Sequence, residues 1–153
     1  MIKYMASFMV IMLISGCASM SVADPNLNYQ KTYEQPGKSK EDIYSKALQW
    51  LARTYNDSKA VIEYQNEEEG KIIGRGISEV TFNPTLIAPI THQIQYTITI
   101  DIKENKIRIT YDNFKNLDAA SFFNDSFNKL QPQLVELSEE LNKYINSEVD
   151  SEW

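Results

Sequence analysis

The spacing of hydrophobic and polar residues changes along the chain, and each change marks an element. From Gln93 to Lys103, Ile94, Tyr96, Ile98, Ile100 and Ile102 alternate with Gln93, Gln95, Thr97, Thr99, Asp101 and Lys103, the period of two expected of a strand with one dry and one wet face. Glu104 and Asn105 suit a tight turn, after which Ile107, Ile109 and Tyr111 alternate with Lys106, Arg108, Thr110 and Asp112. The two runs predict a long hairpin reaching Phe114. A helical period appears earlier, where Ile43, Ala47, Trp50, Leu51 and Tyr55 form a stripe that should lie on the sheet. Ser39, followed by Glu41 and Asp42, is placed to cap that helix, and Asn56 and Asp57 to end it. The helical spacing returns in Leu134, Leu137, Leu141, Tyr144 and Ile145, with Pro132 suited to the first turn and Glu136, Glu139, Glu140 and Lys143 on a solvated far face.

Shorter elements fill the remainder. Asn28 to Glu34 predicts a first strand with Tyr29, Lys31 and Tyr33 on one face, although Lys31 spoils its dryness, and Pro36-Gly37 ends it. Val61 to Gln65 and Lys71 to Val80 read as two strands joined by an acidic turn, Asn66 to Gly70. Gly74 and Gly76 share a face of the second of these and leave room for a neighbouring backbone or a bulge. In Thr81 to Ile90 two prolines forbid a central strand, while Phe82, Leu86, Ile87 and Ile90 are strongly apolar. That loop either folds over the end of the core, the expected outcome, or presents Phe82, Leu86 and Ile87 to a partner. Leu117, Phe122, Phe123 and Phe127 suggest a loose helical turn before the last helix. The reading is one α+β domain over residues 29–146, an antiparallel sheet of about four to five strands with two main helices on one face, followed by an acidic tail at 147–153.

The first 16 residues are of another kind. Lys3 precedes an apolar run from Met5 to Ile14, too short to span a bilayer but suited to an export signal. Ile14-Ser15-Gly16-Cys17 resembles the lipobox of bacterial lipoproteins, in which the leader is cut before the cysteine and the cysteine carries lipid. An ordinary cleaved signal with an incidental Cys17 is the alternative. Two or more acyl chains would hold the protein stably at the membrane. Residues 17–28 would then be the lipidated cysteine and a small, polar tether. Its segment from Ala18 to Leu27 reaches at most about 35 Å. Ala18 is not the aspartate that resembles an inner-membrane retention signal, so the expectation is a bacterial cell-envelope protein, lipid-anchored in the outer membrane and facing the periplasm or the exterior.

Charge and chemistry narrow the function. The formal net charge is −6, and removing a leader with one lysine and no acid makes it more negative, which opposes binding to nucleic acid. The single cysteine excludes an intramolecular disulfide and a cysteine-based metal cluster. Glu67-Glu68-Glu69 lacks the alternating oxygens and turn glycine of a calcium loop, and a zinc site on His92 alone is improbable, so no metal and no cofactor is expected. His92 has no nucleophile motif to serve and reads as an ordinary strand-end residue. The candidate binding surface is the wet sheet face, with Gln93, Gln95, Thr97, Thr99, Arg108, Thr110 and Asp112. A solvated polar face is also the default for such a sheet.

Lys38-Ser39-Lys40-Glu41-Asp42-Ile43-Tyr44, Ala47-Leu48-Gln49-Trp50-Leu51, Gly70-Lys71-Ile72-Ile73-Gly74-Arg75-Gly76 and the alternating run from Ile94 to Lys103 carry a resemblance beyond element order. Over Tyr29 to Phe114, and more loosely the last helix, the chain resembles a bacterial domain of unknown function with a TBP-like fold (DUF4468). Arg108 matches a basic residue common in that family's last strand. The resemblance implies a curved antiparallel sheet with two helices on one face, frequent export or lipid anchoring, and no catalytic residues. DNA binding would follow only by analogy of fold. The expected function is a binding or structural module for another envelope protein or polymer, acting through the open sheet face. The alternative is a small envelope hydrolase using carboxylates on the sheet.

Overall fold

The computed structural model of the chain describes residues 27–55, 60–83, 88–118 and 123–147. The leader, Cys17, the tether up to residue 26, Asn56, Asp57, Leu86, Ile87, Phe122 and the tail after Ser147 lie outside the described residues. Five strands, β1 (Tyr29–Glu34), β2 (Ala60–Asn66), β3 (Lys71–Phe82), β4 (Ile90–Lys103) and β5 (Lys106–Asn116), pair antiparallel in the order β1-β5-β4-β3-β2. Helices α1 (Lys40–Thr54) and α2 (Phe123–Asn146) pack on one face. The dry residues of the long hairpin, Ile94 to Ile102 and Ile107 to Tyr111 in alternation, are buried beneath Ile43, Ala47, Trp50 and Leu51 of α1 and Leu130, Leu134, Leu141 and Ile145 of α2. Burial of the isoleucine and leucine side chains among them, each contributing about 1.5–3 kcal/mol, is the main force holding the layers together.

The prolines and glycines act differently from expectation. Pro132 lies inside α2, because the helix already starts at Phe123 and absorbs the predicted loose turn. The ring removes one hydrogen bond to the Asn128 carbonyl, on the exposed side where water can replace it. Strands β3 and β4 extend through Thr81, Phe82 and Ile90, shortening the predicted loop, since Thr81 pairs with Thr91 and Phe82 with Ile90 before either proline is reached. Gly76 admits a side chain rather than a backbone or a bulge: a Cβ there would lie 2.6 Å from the ring of Tyr96, its cross-strand partner.

One corner is stitched from three segments. Ser39 caps α1, its Oγ accepting from Asp42 N at 3.1 Å, and the Glu104 carboxylate accepts from Lys40 N at 3.1 Å. Lys40 Nζ donates to Glu68 O in the β2–β3 turn, and Ile102 N donates to Gly70 O at 2.7 Å. Asn105, in the left-handed region, accepts from Gly37 N and Gln35 N and donates to Lys38 O. At the other helix junction Lys46 of α1 donates to Ile145 O at 3.1 Å, satisfying a carbonyl at the negative end of α2.

A row of tyrosines runs through the core side. Tyr111 packs against Tyr29 and Tyr96 at ring-centroid distances of 6.0 and 5.6 Å. Burial, followed by the charges of Tyr29 and Glu139, pushes the Tyr33 hydroxyl up to about 12. Burial raises Tyr55 and Tyr111 further. A folded-state value above the unfolded one of about 10 means that the contribution to stability is complete below pH ~10 and is lost as pH rises through the folded value. The urea midpoint should therefore fall above pH ~10, with phenolate absorbance of Tyr33 lagging behind that of the unfolded chain. Titration of every native tyrosine near pH ~10 would contradict this.

Candidate functional site

Antiparallel partners share a sheet face, so the register maps the surface that the helices leave open. Across its middle runs the row Tyr64, Ile73, Thr99, Thr110 and Gln30. On one side lie Arg75, Thr97 and Asp112, then Ile77, Gln95 and Lys115, then Glu79 and Gln93. On the other lie Lys71, Asp101, Arg108 and Thr32. All seven predicted face residues, Gln93, Gln95, Thr97, Thr99, Arg108, Thr110 and Asp112, thus share one face.

The face is less uniform than its polar residues suggest. Ile73 and Ile77 are half-buried on it, and Tyr64 is 40% exposed. Tyr64 is held in place: its hydroxyl donates to Glu69 Oε2 at 2.9 Å, while Asn66 Nδ2 donates to the Tyr64 oxygen and to Glu69 Oε1. A bulge between Ile62 and Tyr64 puts this ring beside Ile73. The parity of β3 contained a signal for the two isoleucines, since Ile73 and Ile77 fall on the odd positions occupied by Lys71, Arg75 and Glu79. Nothing in the sequence marked the β2 bulge.

Most charges on the face are internally paired. Arg108 donates from Nε and Nη2 to Asp101 Oδ2 at 3.2 and 2.8 Å, and Lys71 approaches the other oxygen at 3.6 Å. Arg75 pairs with Glu63, and Lys106 with Glu34. Such exposed pairs contribute about 0–1 kcal/mol each but fix side-chain directions and lower the local net charge. Asp112 stands apart, its carboxyl held above the usual carboxylate range by burial. Among the described residues, Asp101, Glu63 and Glu34 are thus each paired with a cation. Among the described residues no group of three or more His, Cys, Asp or Glu could hold a metal, and no helix is long and apolar enough to cross a membrane.

The loop candidates separate. Phe82 belongs to β3, half-buried and edge-on to His92 at 5.5 Å, with Lys129 Nζ 4.6 Å from its ring centroid. It packs against the end of the core on the helix side of the sheet. Leu86 and Ile87 lie outside the described residues. His92 is buried on the helix side of the sheet, away from the open face.

Comparison with known proteins agrees with this architecture. No curated protein matches the chain. A DUF4468 family protein from Bacteroides ovatus has a similar solved structure, with a TM-score of 0.55 and 18% identity over 68% of this chain. The match spans 64% of that protein, less than two thirds of its length. A TBP-like protein from Parabacteroides distasonis has a TM-score of 0.55 and 16% identity over 75% of this chain and 92% of its own. At these identities the likeness is one of fold. The model of the domain of unknown function (DUF4468) with TBP-like fold matches residues 29–116, all five strands and α1, and the chain belongs to that family.

Proposed function

We propose that the protein is a lipid-anchored module of the bacterial envelope that binds another envelope component, a protein or a polymer, through its open sheet face. The observation carrying this reading is the face itself: five strands wide, uncovered by either helix, with a clamped aromatic ring beside half-buried isoleucines and hydroxyl- and amide-bearing residues. Exposed aromatic and apolar groups within a polar surround are typical of recognition surfaces. Paired charges on the face would orient a partner more than they would strengthen its binding. The Ile14-Ser15-Gly16-Cys17 sequence supports the anchor, with Cys17 as the lipidated residue and an outer-membrane position favoured by Ala18.

Two measurements test the two halves. Wild-type protein should partition with membranes, while Cys17→Ser should lose that partitioning; equal partitioning would remove the lipid anchor from the reading. Site-specific photo-crosslinking in the native envelope should give a discrete adduct from Thr97 or Arg108 and none from Glu139, which lies on the exposed side of α2. Crosslinks from Glu139 alone, or from no site, would overturn the open face as the binding surface.

A further inference from the structure

On the opposite side of the sheet, a cleft of about 430 Å³ opens between the end of α1, strands β3 and β4, and α2. Its base carries three hydroxyls, those of Tyr55, Tyr96 and Ser78, with Tyr96 in the centre at 3.3 Å from Tyr55 and 3.2 Å from Ser78. Tyr96 is 1% exposed, and its ring occupies the space that the absent Cβ of Gly76 leaves. A glycine inside a strand costs stability. Here it sets the Tyr96 ring against β3, within reach of Ser78.

Hydrogen-bond accounting shows what this base lacks. Three hydroxyls bring three donors and several lone pairs, while their two mutual contacts use two donors. One hydroxyl hydrogen and most of the lone pairs remain for a further partner in the cleft. Above the hydroxyls, α2 supplies Glu136 and Glu140, one helical turn apart and exposed. Among the described residues no lysine, arginine or histidine lines the cleft, and Leu137 provides apolar wall. The arrangement suits binding.

We propose that this cleft binds a small primary amine, its ammonium group taken by Glu136 and Glu140, a lone pair of the Tyr55–Tyr96–Ser78 cluster accepting its third N–H bond, and its alkyl portion lying against Leu137. An ammonium has three donors and no acceptor, matching two carboxylates and a hydroxyl oxygen. The site faces away from the open sheet face and does not depend on it.

Calorimetric titration of the full-length protein, held in non-ionic detergent micelles, with cadaverine as probe and 1,5-pentanediol as its neutral counterpart tests this. Cadaverine should bind one to one and pentanediol should not. Glu136→Gln combined with Glu140→Gln should weaken binding by at least about tenfold. Both side chains are exposed, so the variant should fold normally by circular dichroism. Glu139→Gln, which removes a charge from the same helix outside the cleft, should leave binding unchanged. Tyr55→Phe should weaken binding without changing its dependence on the glutamates. Absence of cadaverine binding at millimolar concentration, equal binding of pentanediol, or equal loss in Glu139→Gln and the double variant would each overturn the proposal. The last would show only general attraction to an acidic protein.

Discussion

Gly70→Ala should destabilise the domain by more than about 3 kcal/mol, enough to remove much of the folded population of a domain with ordinary stability. Two costs coincide at this glycine. Its φ of +64° lies in the left-handed region, and a Cβ would stand 2.2 Å from the carbonyl oxygen of Ile102. That oxygen belongs to the backbone of a central strand and cannot rotate aside, while Gly70 O itself accepts from Ile102 N. Gly37 provides the control. Its φ is +78° with nothing within 4 Å of the missing Cβ, so Gly37→Ala should show only the conformational cost of about 1 kcal/mol. Equilibrium urea unfolding separates the two; equal losses would mean that the Gly70 contact relaxes freely and that the corner is not rigid.

Deletion of Asn113 should be at least as damaging. Strand β5 follows odd parity in the core through Ile107, Ile109 and Tyr111, then even parity through Phe114 and Asn116. The change is made at Asn113, whose φ is +52°, inside a bulge where the β4 register passes from Gln95 to Thr97. Removing it would turn Phe114 and Asn116 toward the open face. Phe114 is fully buried and meets Phe127 at 4.9 Å, so losing its place should cost about 3–5 kcal/mol before any strand rearrangement. By contrast Asn113→Gly keeps the extra residue and suits the positive φ, so it should stay within about 1 kcal/mol of wild type. Thermal unfolding of both variants decides it, and a stable deletion variant would show that β5 can re-register without its bulge.

These positions also show where the sequence was legible. The alternation of β4, the Ser39 cap, the stripe on α1 and the shared face of the seven polar residues follow from local periodicity, which local geometry obeys. The parity change from Tyr111 to Phe114 was visible too, but it has meaning only once both aromatics are known to face the same core. Pro132 misled because propensity disfavours proline inside a helix, whereas Leu130, Leu134 and Leu141 bury enough apolar surface to carry α2 through it. Gly76 could be recognised as space-making, but its occupant is a ring on another strand. The cleft over Tyr96 was least legible: Tyr55, Ser78 and Glu140 come from distant segments, and each alone reads as an ordinary residue of its element.

The strand order has a consequence for how the chain folds. β1 is made first but pairs only with β5, the last strand made, with α1 and three other strands between them. The β4–β5 hairpin closes through the two residues Glu104 and Asn105 and can form early, whereas β1 must wait as an unpaired six-residue segment. Docking of β1 therefore completes the sheet, and until then the edge of β5, with Arg108 and Thr110 beside it, is open to pairing with another extended chain.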